Sequence, residues 1–279
     1  MTPWTLYAVV VAGLLGLVVG SFLNVVAYRV PAHISLTRES RCPRCDTAIP
    51  PWQNVPVVSW LALGGRCAAC GAPISPRYPL VEAITGVAFA VVTWGTITRG
   101  ADSAAAPSTD TWALTAVTAA YLYFAAISIV LTLIDLDTHR LPNSIVLPSY
   151  VVAGILFAVA ALAGGDASAL LRAGVGMVVL YTFYALLRAI RPGGMGGGDV
   201  KLAGVIGIHL GWIGWGALAV GSFAAFLLGG VFGIGLLLAH RAGRKTAIPF
   251  GPWMILGAWL GIIVGQPVGQ WYVNLFIGA

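Results

Sequence analysis

Two aspartates, Asp135 in LIDLDTHRLPN and Asp199 in GGMGGGDVKL, stand at the ends of apolar stretches in a chain of which only 9% is charged. An ionised carboxylate in hydrocarbon costs roughly 2.5 to 3.5 kcal/mol at a helix centre and less at an interface, so such residues are usually kept for chemistry or transport. Two carboxylates brought together share a proton, leaving one as a base and the other as an acid. That pair can add water to a peptide carbonyl: the base takes a proton from water and the acid protonates the leaving amine. Two other roles fit the same residues, namely helix-end carboxylates satisfied by Arg140 or Lys201, and proton relays in a carrier. Asp137 would point about 200° away from Asp135 on a continuing helix, so the two would not face one partner. His139, beside Arg140, reads as a solvated side chain, and His33 and His209 have no evident acidic or thiol partner. Ser21, Ser59 and Ser128 have no accompanying His/Asp pattern, which argues against a serine hydrolase.

A second chemical cluster is formed by the four cysteines, Cys42 and Cys45 in CPRC and Cys67 and Cys70 in CAAC. Two CxxC pairs at such spacing can supply a tetrahedral thiolate site, with zinc the leading metal. They fall in the one sizeable polar insertion, residues 31–78, and a segment of about 50 residues has too little core to fold without a staple. No His, Asp or Glu completes a separate open three-ligand site, so the expected zinc is structural.

The elements that must position these groups are apolar helices. With 59% hydrophobic residues and long apolar runs broken by short polar turns, the chain is expected to be an all-α polytopic membrane protein. About eight transmembrane helices are read at roughly 5–28, 79–98, 112–134, 144–163, 169–190, 200–215, 217–239 and 250–275. The sixth is the weakest because it is short and glycine-rich. The first lacks a basic n-region and is longer than a typical signal core, so it is read as a permanent span. With the N-terminus outside, the inner loops hold every Lys and Arg except Arg99 and Arg172, as the positive-inside rule expects. The net charge of +6 then reads as topology and contact with anionic lipid, and no basic stripe interleaved with aromatics suggests nucleic-acid binding. The same topology puts the cysteine insertion in the reducing cytoplasm, which disfavours disulfides. The residues Gly100 to Asp110 read as an exposed outer loop, and no convincing internal repeat is visible. The expected organisation is a first transmembrane helix at 1–30, a small cytoplasmic zinc-binding insertion at 31–78 and a transmembrane core at 79–279.

Six blocks in order resemble the bacterial type IV prepilin leader peptidases, polytopic aspartic peptidases with a GxGD signature. They are GSFLNVVAYRVP at 20–31, the paired CPRC and CAAC, NVPVVSWLALGGRC at 54–67, ISPRYPLVE at 74–82, D-x5-LP at 135–142 and GMGGGDVKL at 194–202. The resemblance implies that Asp135 and Asp199 are the catalytic pair. It implies cleavage of the basic leader of prepilins and pseudopilins, after a glycine, at the cytoplasmic face of the bacterial inner membrane. It further implies N-methylation of the new terminus with S-adenosylmethionine, a second activity that accompanies the cysteine region and the segment containing Gly65 and Arg66. Gln53 departs from the pattern, standing where an acid is expected before Asn54. Glu82 is the remaining acid near the insertion and reads first as a partner of Arg77 or a helix-start carboxylate, and second as a substrate contact. The partners implied are the prepilin substrates and membrane lipid; oligomeric state is not legible. Two rival functions remain open: a proton-coupled carrier using both aspartates, and a non-catalytic scaffold for pilus or secretion assembly.

Overall fold

The computed structural model describes residues 2–102, 111–164, 166–191, 195–239 and 249–278. Much of the expected outer loop, the glycines Gly193 and Gly194, and the basic residues Arg241, Arg244 and Lys245 lie outside these. In chain order the helices are α1 (Pro3–Arg29), a 3₁₀ turn (Pro51–Asn54), α2 (Val58–Ala62), α3 (Arg77–Asp102), α4 (Thr111–Thr138), α5 (Asn143–Leu162), α6 (Ala167–Ile190), α7 (Gly197–Ile213), α8 (Trp215–Leu238) and α9 (Gly251–Ile277). Among the described residues there is no named strand, only isolated bridges in the cysteine region.

Seven helices, α1, α3, α4, α5, α6, α8 and α9, are long and apolar enough to cross a membrane. The sixth expected span forms as α7, but its 17 residues rise only about 25 Å against a hydrocarbon core of about 30 Å. Composition made this helix hard to read for a physical reason. It is enclosed by protein: Val200 and every residue from Leu202 to Gly211 are buried.

The chain divides into two compact units, the first of residues 1–107 and 121–130, the second of 108–120 and 131–279. In the first, α1 and α3 pack closely because glycines remove the side chains between them. A Cβ at Gly16 would stand 2.6 Å from the Thr85 carbonyl, and one at Gly20 would stand 2.7 Å from the Glu82 Cα. Asn24 adds a hydrogen bond, donating Nδ2 to the Tyr78 carbonyl. The GSFLN block is therefore a packing device for the start of α3.

In the second unit α7 lies against α5, α6, α8 and α9. Against α6 the backbones nearly touch, since a Cβ at Gly176 would be 2.5 Å from the Gly207 carbonyl. Small residues permit this approach in membrane helices, where packing replaces the hydrophobic drive. The chain leaves α7 through Gly214 at φ 151°, and Gln266 of α9 donates Nε2 to the Ile213 carbonyl at 2.9 Å, satisfying an acceptor at the helix end.

The cysteine region holds a repeat too short to see in the sequence as a whole. The Cys42 N–H bonds the Thr47 carbonyl and the Asp46 N–H bonds the Cys42 carbonyl; the Cys67 N–H bonds the Ala72 carbonyl and the Gly71 N–H bonds the Cys67 carbonyl. Both turns close with an antiparallel bridge, Arg41 to Ala48 and Arg66 to Pro73. Both also carry one positive-φ residue at the equivalent place, Asp46 at 53° and Gly71 at 71°.

Candidate active site and metal centre

Asp135 sits in the last turn of α4, and the helix continues to Thr138. The 100° step per residue then separates the two candidate acids as expected: Asp135 is 4% exposed, while Asp137 is exposed. His139 ends the helix at φ 54°, and its N–H bonds the Asp135 carbonyl at 2.9 Å. The Asp135 side chain is held from another part of the chain. Its Oδ2 accepts the Gly251 N–H, at the start of α9, at 3.1 Å.

Asp199 is the third residue of α7, half-buried, and its Oδ2 accepts the Gly196 N–H at 3.0 Å. It completes the side-chain half of a capping box at the start of α7. The loops that carry the two acids meet on Leu141. A Cβ at Gly198 would stand 2.8 Å from the Leu141 Cβ, and one at Gly251 would stand 3.5 Å from Leu141 Cδ2. The end of α4, the start of α7 and the start of α9 therefore converge around Leu141.

Neither Arg140 nor Lys201 is recorded in an ion pair with these acids among the described residues. Lys201 instead donates Nζ to Asn143 Oδ1 at 2.8 Å, and the Tyr150 hydroxyl donates to the Lys201 carbonyl, tying α5 to the first turns of α7. Tyr184 of α6 is buried in the second unit. It packs with Phe226 and Phe250 at centroid distances of 5.4 and 6.3 Å, forming an apolar wall beside the acids. Sequence reasoning missed Gly251, because its contribution is a main-chain N–H; the Gly-Pro start of an apolar helix is the only trace it leaves.

The four cysteines converge, with their sulfurs all within 4.8 Å of one another. Cys42 and Cys70 Sγ are 3.9 Å apart, far beyond a disulfide bond of about 2.05 Å. Tetrahedral thiolates at about 2.3 Å from a metal lie about 3.8 Å apart. The cluster therefore fits a metal ion. Cys45, beside the Thr47 hydroxyl and amide, has its thiol lowered to about 6, which favours the ligating thiolate.

Next to this cluster the first unit encloses a cavity of about 780 Å³. Asn24, Arg29, Gln53, Val57, Trp60 and Glu82 are among its walls. The Arg29 guanidinium is buried and donates to the carbonyls of Ser35, Leu36, Arg38 and Glu39. Trp60 donates Nε1 to the Ile74 carbonyl at 3.1 Å. Gly65, at φ 67°, lies against the Trp60 ring and is not itself part of the cavity wall. Arg66 is exposed and belongs to the second cysteine turn. Val57 holds φ 61° and ψ −49°, a conformation that costs a β-branched residue on the order of 1 to 3 kcal/mol. Its N–H is bound by Glu82 Oε2 at 2.7 Å. Glu82 thus lies beyond the first turn of α3 and takes a peptide N–H as its partner.

Comparison with known proteins identifies the family of the chain. Residues 14–96 match the Bacterial Peptidase A24 N-terminal domain, and residues 122–234 match the Type IV leader peptidase family. A prepilin leader peptidase/N-methyltransferase of Aeromonas salmonicida is 34% identical, over 99% of this chain and 96% of its own. The protein of the same description from Aeromonas hydrophila is 35% identical over the same shares, and that from Neisseria gonorrhoeae is 37% identical over 91% of this chain and 90% of its own. No solved structure matches. The matched segments carry the cysteine turns and both aspartates, and the chain belongs to the type IV leader peptidase family.

Proposed function

We propose that this protein cleaves the N-terminal leader of prepilins and pseudopilins and then methylates the new N-terminus. The observation that carries the first step is the convergence of Asp135 and Asp199 on Leu141, each carboxylate held by a main-chain N–H. One acid of the pair is ionised and takes a proton from water as its oxygen adds to the scissile carbonyl. The other gives its proton to the carbonyl oxygen. Collapse of the tetrahedral adduct expels the amine, which takes the proton now held by the first acid while a hydroxyl proton of the adduct returns to the second, restoring the pair and leaving a carboxylic acid, ionised at neutral pH, on the leader and a free amine on the pilin. The Gly251 and Gly196 amides fix the carboxylates so that little reorganisation accompanies the reaction.

The Cys42, Cys45, Cys67 and Cys70 set suits structural zinc, which ties the two turns of the 31–78 insertion together. The adjoining cavity is of the size that cofactor sites occupy, about 300 to 1,000 Å³, and Trp60, Asn24 and Glu82 offer a ring, an amide and a carboxylate. These residues would hold S-adenosylmethionine, which supplies an electrophilic methyl group when bound. The distribution of Lys and Arg supports a bacterial inner-membrane location with both sites toward the cytoplasm. A detergent-purified sample incubated with a full-length prepilin, read by mass spectrometry, tests the reading. Wild type should release the leader, Asp135→Asn and Asp199→Asn should leave it attached, and S-adenosylmethionine should add one methyl mass. Intact substrate with folded wild-type protein would overturn it.

A further inference from the structure

We propose that the cavity of the first unit is an ammonium site and that Glu82 is the residue that binds the cation. The inference rests on the methyl-transfer reading above and names the group that anchors a reactant there. Three acids line the cavity, Glu39, Asp46 and Glu82. The first two are largely exposed and share Arg41, at 3.3 and 3.4 Å. Glu82 is 8% exposed, and its Oε2 accepts the Val57 N–H. Arg29, the buried cation of the same wall, is taken up by four carbonyls. A buried carboxylate facing an open cavity without a cationic partner is costly, and its energy is recovered when a cation arrives.

The backbone around Glu82 is built to keep it there. Gly20 lets α1 approach its Cα, with no space for a side chain between them. Val57 stays in a strained conformation whose N–H points at the carboxylate. Strain of this kind persists where surrounding structure over-determines it and clusters at ligand sites. Gln53, on the same wall, is uncharged, so the buried negative charge of the cavity is Glu82's.

Two reactants of N-methylation carry an ammonium: the α-amino group of the methyl donor's methionine part, and the acceptor N-terminus before it loses a proton. Acetylation removes the charge from either. The test uses the full chain in detergent and compares binding of S-adenosylhomocysteine with its N-acetyl derivative, and of a short mature pilin N-terminal peptide with its N-acetyl form. Wild type should prefer one free amine by tenfold or more, and the affected pair identifies which reactant sits at Glu82. Glu82→Gln removes the charge but leaves an oxygen to accept the Val57 N–H, and should reduce that preference to within about twofold. Adding Val57→Gly, which adopts positive φ without strain, removes dependence of the fold on the clamp, so the double variant reports on charge alone. If either variant keeps the wild-type preference, Glu82 only clamps Val57 and the inference is overturned while methyl transfer stands. If wild type binds neither free amine, the methyl-transfer reading fails and the ammonium site fails with it.

Discussion

Gly251 donates its N–H to Asp135 Oδ2 across 3.1 Å, linking the first residue of α9 to the last turn of α4. The same glycine has no room for a side chain, since a Cβ would stand 2.7 Å from that oxygen. Gly251→Ala should therefore displace the Asp135 carboxylate and lower kcat/KM for leader release by about 10²-fold, the usual cost of misplacing a reacting group by about 1 Å. The comparison is a cleavage time course at matched thermal midpoint; a wild-type rate would show that Asp135 tolerates the shift.

Two glycines of α6 offer a matched pair. Gly176 would put a Cβ 2.5 Å from the Gly207 carbonyl, whereas a Cβ at Gly174 would meet nothing within 4 Å. Gly176→Ala should cost about 1 to 3 kcal/mol through overpacking, and Gly174→Ala should be neutral or slightly stabilising. Reversible unfolding in mixed micelles measures both, and equal stabilities would mean that α6 and α7 are not pressed together.

Metal binding should follow the thiols. Cys45, held down to about 6 chiefly by the Thr47 hydroxyl, is mostly ionised at pH 7 and gives up little proton to the metal. Below about pH 6 it is protonated and must lose that proton on binding, so apparent affinity should fall by a further factor of about ten per pH unit. Thr47→Ala moves this break upward, toward an ordinary thiol. Competition with a chromogenic zinc chelator between pH 5 and 8 reads the slope, and an unchanged break in the variant would refute the role of the hydroxyl.

Arg29 fastens the loop from Ser35 to Glu39 through four carbonyls. Lysine has no planar fork and cannot span them. Arg29→Lys should loosen the loop, with each lost bond to the charged group worth about 1.5 to 3 kcal/mol. Limited trypsin digestion should cut at Arg38 at least tenfold faster than in wild type; equal rates would place the loop's stability elsewhere.

The two aspartates stood out as candidates because charge is scarce in the sequence and each ends an apolar run; helical geometry set Asp135 and Asp137 on different faces, and the D-x5-LP resemblance pointed to Asp135. The cysteines were legible by spacing. Gly251, Gly196 and Val57 were not, because main-chain N–H groups and dihedral angles leave almost no mark in residue type. The partner Glu82 takes, a peptide N–H 25 residues upstream, likewise leaves no mark in residue type. The shortness of α7 weakened its reading as a span, while the burial that explains its glycines could be seen only once α5, α6, α8 and α9 surrounded it.

The paired cysteine turns also constrain descent. Each turn is shaped by its own main-chain bonds, so the backbone of one does not require its thiols to take that shape. The metal, however, needs thiols from both, because two ligands hold it poorly and four hold it well. Losing both thiols of one turn would leave the other pair too few ligands to hold the ion, so the two turns should keep or lose their cysteines together.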